Sequence, residues 1–588
     1  MQTRINNNET NFTIVFPNRV YEISGEPLTG GLKFNFTSLL LKNDNNIPGA
    51  KIPIQINFIG YKTLPSSEIT SISTGDIPTT NMTCNYNPAS PDFLSIVNNY
   101  SDFPQLHSNY KDDFNVWHHH DFLEIIAQVE DEQYWKSVNV MGLYIRGENP
   151  EYDPYHPFFD KQLGTYGIHI RHARDFFVDN NVIDNIYGGA IKLRSGQEDI
   201  NTENKSLPST IERNIITNCW GNNPRTSCDC SIGNCTNDVY GCGYDNYGDG
   251  IECDALDKAL IQYNFIKNDL TVTKQLSRAG ITLQWASGCT VQYNFVHGYD
   301  RNFHIEITRY KSHTLKYNRS TGSLLSLWDG EEDPEGYDFY TPPNIMYNYF
   351  STTGMQAPNQ SGTFGFDWNP VTEKFEDINS VEMIKYVLSP LPIENPNGLK
   401  PILSVKYPFI TTTNGLSTAE ILNNLNFRNN LIEINESDYA GWYRDYGLSS
   451  NSSRVTSIFS GSTNVKEVVF KCNTVKVINS HGDFLALNQS GTFHTVSGNT
   501  FDGNFRNSGS ANQHICFPSS PTSTILSCND FSNVSPANSQ NNYDVNPCSP
   551  VTDNCANHQH LLLAPPLVTN ISCGDIASGS NDGSIFFD

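Results

Sequence analysis

One residue type at one spacing constrains this chain more than any other feature. Asparagine recurs immediately before short apolar or β-branched runs: Asn181-Val182-Ile183, Asn214-Ile215-Ile216, Asn264-Phe265-Ile266, Asn294-Phe295-Val296, Asn348-Tyr349-Phe350, Asn430-Leu431-Ile432, Asn473-Thr474-Val475 and Asn499-Thr500-Phe501. Asn529-Asp530-Phe531 is a looser copy, and Asn318-Arg319-Ser320 keeps the position but departs from the pattern. The steps are 30, 24 and 30 residues between 264, 294, 318 and 348, and 26 and 30 between 473, 499 and 529. A period of this length built on short strands is one coil of a β-solenoid. The 588 residues therefore do not divide into several globular domains. Most of the length is one elongated body, which adds coils without enlarging a spherical core.

A second short strand precedes many of these asparagines, as in Ile168-His169-Ile170-Arg171, Ile191-Lys192-Leu193-Arg194, Ile251-Glu252-Cys253-Asp254, Ile281-Thr282-Leu283-Gln284 and Ile305-Glu306-Ile307-Thr308. Apolar and polar residues alternate, so one face of each strand turns inward and the other outward. Glycine commonly precedes these strands, where a coil is predicted to turn sharply. The asparagines are predicted to hydrogen-bond to one another from coil to coil and to tolerate left-handed backbone. The best short helical candidate is Ser380–Tyr386.

The fold class expected is all-β: a right-handed parallel β-helix with loop insertions. The pattern resembles the pectin-lyase-like superfamily over roughly 138–531, a scaffold shared by many activities. Ile14–Ser24 and Ile52–Ile56 look like earlier coils, so residues 1–137 read as first coils or a cap with an inserted lobe. Residues 60–137 and 366–410 fit no coil. Residues 532–567 are an Asn-, Ser- and Pro-rich linker. In 568–588, Val568-Thr569-Asn570-Ile571-Ser572-Cys573-Gly574 and Gly579–Ile585 resemble the start of an SprB-type repeat of surface adhesins from gliding bacteria. That resemblance implies one piece of a longer surface protein exported by a type IX pathway.

Stacking the alternating strands sets outward side chains in columns about 4.8 Å apart. One column is expected to hold His169, Lys192, Glu252, Thr282, Glu306 and Ser326, and its neighbour Arg171, Arg194, Asp254, Gln284, Thr308 and Trp328. This alignment takes the gap between 194 and 251 to contain no further coil. The candidate catalytic residues are Glu252, Glu306, Asp254 and Lys192. Glu252 and Glu306 would stand two coils apart, about 9–10 Å between backbones, compatible with the carboxyl separation of an inverting glycosidase. A lyase would instead draw its base from Lys192, Arg194 or His169. Substrate-binding candidates are His169, Arg171, Arg194, Gln284, Trp285, Trp328 and Arg309. The alternative is a solvated polar strand face, which every β-helix has. Lys, Glu and Asp are poor strand formers, and their clustering in adjacent rungs favours a site.

The acidic turn Asp245–Asp254 offers Asp245, Asp249 and Asp254 as ligands for a calcium ion, without the spacing of an EF-hand loop. Asp329–Glu335 is a second acidic loop, and His118-His119-His120-Asp121 a histidine run. Cys228, Cys230, Cys235 and Cys242 are expected to form two local disulfides, because their spacing is not a common zinc pattern. Cys516 is expected to pair with Cys528 and Cys548 with Cys555, while Cys253 and Cys289 point inward. No phosphate-binding loop, nucleophile elbow or dinucleotide fingerprint is present.

A net charge of -25 and a pI near 4.9 repel phosphate, so nucleic acid is not an expected partner. No apolar stretch approaches the length of a membrane span. Fourteen cysteines suit an oxidising, extracellular setting, and the N-terminus shows no signal peptide, so the chain is expected to start inside a longer gene product; the alternative is a cytoplasmic protein with buried free thiols. The expected partner is a polysaccharide or cell-surface glycan, cleaved by a lyase or glycoside hydrolase, or held without cleavage by an adhesin module. A phage tailspike is a third possibility, disfavoured by the cysteines. A polyanionic substrate would dock at Arg171, Lys192 and Arg194.

Overall fold

In a computed structural model, the described residues are 122–126, 135–147, 165–195 apart from 174 and 187, 209–219, 249–268, 279–328 apart from 300, 307–310 and 323, 343–351, 425–435, 467–480 and 493–505, with shorter strands elsewhere between 10 and 573. Among them there is no helix. The coil strands pair in parallel as three ladders, and successive strands cycle from one ladder to the next; the few antiparallel pairs lie outside the coils. The protein is a parallel β-helix.

One coil shows the plan. Ala279–Gln284 lies on the first face, Thr290–Gln292 on the second and Phe295–His297 on the third. Each pairs in register with its counterpart in the coils before and after, so that Ile251, Ile281 and Phe303 align, as do Ile261, Val291 and Leu315. These inward residues, with Ile266 and Val296 of the third face, form a core that is 0–2% exposed. Cys253 and Cys289 belong to it as free thiols, as the alternation predicted.

The asparagine ladder is continuous. Asn264 Nδ2 donates to Asn294 Oδ1 at 3.0 Å and to the Ile211 carbonyl at 2.9 Å, while the Asn264 backbone N–H donates to the same Asn294 oxygen at 3.0 Å. The pattern repeats from Asn181 to Asn529. Asn318 is a full member, donating to Asn348 at 3.0 Å. Its irregular neighbour Ser320 points inward, where buried Asn302 donates to its hydroxyl at 2.9 Å. The sequence reading placed the left-handed backbone on the asparagine itself. It belongs instead to the residue before: Arg213, Tyr263, Tyr293, Tyr317, Tyr347, Asn429 and Cys472 have φ of 53–59°. The asparagine bonds; its predecessor turns the corner.

Two further expectations change. Strands Gln105–Ser108 and Leu123–Ile126 pair with Val20–Ile23 and Leu32–Asn35, so part of 60–137 is coil rather than lobe. Within 366–410, Leu403–Lys406 continues the first face beside Leu324–Trp328. The glycines opening the first-face strands are needed for close approach: a Cβ on Gly280 would collide with the Val296 side chain and the Asn302 carbonyl. The helical candidate 380–386, and 568–588 apart from Ser572–Cys573, lie outside the described residues.

Candidate functional site

The first face carries the charged candidates because its strands alternate apolar and ionisable residues in register. Lys192 pairs directly with Glu252, and Arg194 with Asp254, so no coil intervenes between 194 and 251. His169 and Arg171 occupy the preceding rung. The first column therefore runs His169, Lys192, Glu252, Thr282, His304 and Ser326. Glu306 is displaced from its expected place. It aligns with Asp254, Gln284 and Trp328 in the neighbouring column, so Thr308 is not that column's fifth member. The turn from first to second face holds two more residues in this coil than in the one before, as the pairs Leu283↔Ile305 and Thr290↔Thr314 require. Counting back from Asn318 at a constant offset slips the register by two. The slip keeps the outward face and moves the column.

Lys192, Glu252 and Tyr166 converge. Lys192 Nζ lies 2.9 Å from Glu252 Oε1 and donates to the Tyr166 hydroxyl at 3.3 Å, and that hydroxyl lies 3.4 Å from Glu252 Oε2. The ammonium also sits 5.1 Å from the centre of the Tyr166 ring, within cation–π range. Glu252 is 3% exposed. Beside this cluster, Arg171 Nε donates to His169 Nε2 at 2.8 Å, which places the neutral ring's proton on Nδ1. The Tyr166 and His169 rings are 4.8 Å apart. Arg194 Nε approaches Asp254 Oδ2 at 3.5 Å, with 30% of the arginine side chain exposed. The arrangement holds a phenol, an imidazole, an ammonium and two guanidinium groups on adjacent rungs, each oriented by a neighbour. Such a set can bind a carboxylate and move a proton beside it.

Tyr166 and His304 are the site residues missing from the sequence reading. His304 was hidden by the register slip. Tyr166 lies before the alternating core of its strand, and its meeting with Glu252 spans 86 positions of chain. Gln284 is half-buried next to Asp254, and Trp285 follows it at a corner with φ 52°. Trp328 closes its strand in the column of Glu306. Arg309 and the side chains of Glu306 and Trp328 lie outside the described residues.

The acidic turn is partly committed. Asp249 is fully buried; its Oδ1 accepts from the Ala279 N–H at 3.0 Å and its Oδ2 from the Thr282 hydroxyl at 3.4 Å. Asp245 lies on a two-residue strand antiparallel to Asn223–Pro224. Among the described residues no three His, Cys, Asp or Glu side chains group as a metal site. The run 118–120, the loop 329–335, Cys228, Cys230, Cys235, Cys242, Cys528, Cys548 and Cys555 lie outside them. No protein-family model and no curated protein matches the sequence.

Proposed function

We propose that this chain is an extracellular polysaccharide-recognising protein whose first face acts on an acidic glycan as a lyase. The Lys192–Glu252–Tyr166 cluster carries the reading. A carboxylate held against an ammonium at 2.9 Å orients that ammonium rather than delivering a proton, which favours elimination over the two-carboxylate hydrolysis also considered from the sequence. In the elimination, Arg171 and Arg194 engage the sugar carboxylate. Tyr166, acting in its deprotonated form beside the Lys192 ammonium, takes the proton next to that carboxylate and passes it to the glycosidic oxygen as the C–O bond breaks, which returns Tyr166 to its starting state. The resemblance to the pectin-lyase-like superfamily, and that of 568–588 to an SprB-type repeat, support a secreted module of a longer surface protein.

The test is incubation with polygalacturonate, alginate and hyaluronan while following the absorbance of the new unsaturated sugar. Turnover should appear on at least one, and should fall by at least about a hundredfold in Tyr166→Phe and Lys192→Ala. Reducing ends released without that absorbance would reassign the chain to the hydrolases. Binding without either product would make it an adhesin module.

A further inference from the structure

The three faces differ in what reaches their outer surface. On the first, outward His169, Glu252, Thr282 and His304 are 0–3% exposed, while Arg171, Lys192, Arg194 and Gln284 are partly exposed. On the third, outward Phe265 and Phe295 stack at 5.0 Å and are 0–2% exposed, while Lys267, His297, Arg319 and Tyr349 are partly exposed. The second face is open: from Leu260 to Met346 every described outward side chain is partly exposed.

Three parallel columns run along that open face. Thr290 and Thr314 pair in the first and continue into Asn344, which accepts from Asn426 Nδ2 at 3.0 Å. In the second, Gln262 Nε2 donates to Glu212 at 2.6 Å and Gln292 Nε2 to Gln262 Oε1 at 2.7 Å, and Lys316 follows. The third is a corner ladder of Tyr263, Tyr293, Tyr317 and Tyr347, whose ring centres step by 5.2, 5.1 and 5.3 Å. Each tyrosine has φ of 55–59°. The same corner is made elsewhere by Asn180, Asn429 and Gly498, residues suited to left-handed backbone, and by Arg213 and Cys472. Bulky residues held there are strained, and such strain clusters at functional positions. Burial raises the Tyr263, Tyr293 and Tyr317 hydroxyls, reinforced by Glu212 beside the first and by neighbouring tyrosines for the others. The phenols stay protonated and available as donors.

We infer that the second face, between Leu260 and Met346, is a docking platform for an uncharged polysaccharide laid along the solenoid axis. The phenols repeat in all four coils, with hydroxyls at Thr290 and Thr314 and amides at Gln262, Gln292 and Asn344 beside them, and an extended chain of β-linked pyranoses advances by about one sugar per coil spacing. Successive sugars therefore meet an equivalent tyrosine edge in each coil. The columns from Leu260 to Met346 contain no carboxylate although the chain carries a net charge of -25, which suits a neutral ligand. The tyrosine faces are covered by one another, so the ladder presents ring edges and hydroxyls. This site is separate from the acidic-glycan chemistry proposed for the first face.

The test is depletion of the full chain from solution by microcrystalline cellulose and by chitin powder at physiological salt. Wild type should bind at least one of them. Tyr293→Asn with Tyr317→Asn, which keeps residues able to turn the corner, should weaken binding by about tenfold or more. Thr290→Glu with Thr314→Glu, at partly exposed positions, should do the same by placing charge under the ligand. Lys192→Ala should bind as wild type, which separates this platform from the first-face site. Wild type left in solution by both solids, or binding unchanged in both folded double variants, would overturn the inference.

Discussion

The first and second faces are built from the same period and the same alternation, yet the first buries about half of its outward side chains and the second leaves its middle coils partly exposed. First-face outward residues from His169 to Asp254 are ionisable, and two pairs neutralise one another across rungs: Lys192 with Glu252, and Arg194 with Asp254. Second-face outward residues in the middle coils are mostly amides, hydroxyls and phenols, with Lys316 the one charged member of the described columns between 260 and 347. A polar side chain removed from water needs a partner, whereas one left in water does not. Closed surface therefore selects charge pairs with fixed geometry, which suit chemistry. Open surface selects repetition, which suits adhesion.

The largest effect is expected where both faces share one frame. Asn294 is 1% exposed and serves four partners: Asn318, the Ile261 and Gln292 carbonyls, and Asn264, whose two N–H groups it accepts. Asn294→Ala strands several of these groups and should cost about 3–5 kcal/mol in chemical denaturation. A loss under 1 kcal/mol would show that the ladder is ornament rather than frame.

The second face is itself closed at its N-terminal end, and that end should be pH-sensitive. Asp179 is buried and held by Arg213 at 2.7 and 2.8 Å. Burial raises its carboxyl to about 6, against the opposing pull of Arg213. The folded state then keeps a proton that the unfolded chain loses near pH 4. Stability should fall as pH rises from about 4 to 6 and level off above, by about 3 kcal/mol for this group. Asp179→Asn should flatten that part of a melting-temperature profile; an unchanged profile would remove Asp179 as its source.

On the closed first face, Glu252→Gln removes the partner of a mostly buried ammonium and should cost about 2–4 kcal/mol. On the open face, Gln262→Ala should cost less than about 1 kcal/mol. Equal losses at the two positions would erase the energetic distinction between the faces. Tyr293→Asn should shift stability least. Lost ring stacking of about 1 kcal/mol is offset by relief of left-handed strain on the order of 1 kcal/mol. The melt then isolates any binding role of the ladder.

Much of this was legible in the chain. Asparagine spacing and period-two alternation led directly to the coils and to inward Cys253 and Cys289. The second-face ladder also left a signal, because Tyr-Asn recurs at 263–264, 293–294, 317–318 and 347–348. Glu306 was misplaced because two extra turn residues preserve the alternation while moving the column. Periodicity fixes which way a side chain faces; only the turn lengths fix its neighbour.

By itself, then, the sequence determined a parallel solenoid, its inward and outward residues and its hydrogen-bonded spine, because these follow from repeats within one or two coils. The tertiary structure decided which columns meet, that Tyr166 closes on Glu252, and which face stays open to water. Those outcomes depend on turn lengths and on contacts between residues far apart in the chain, which no local pattern encodes.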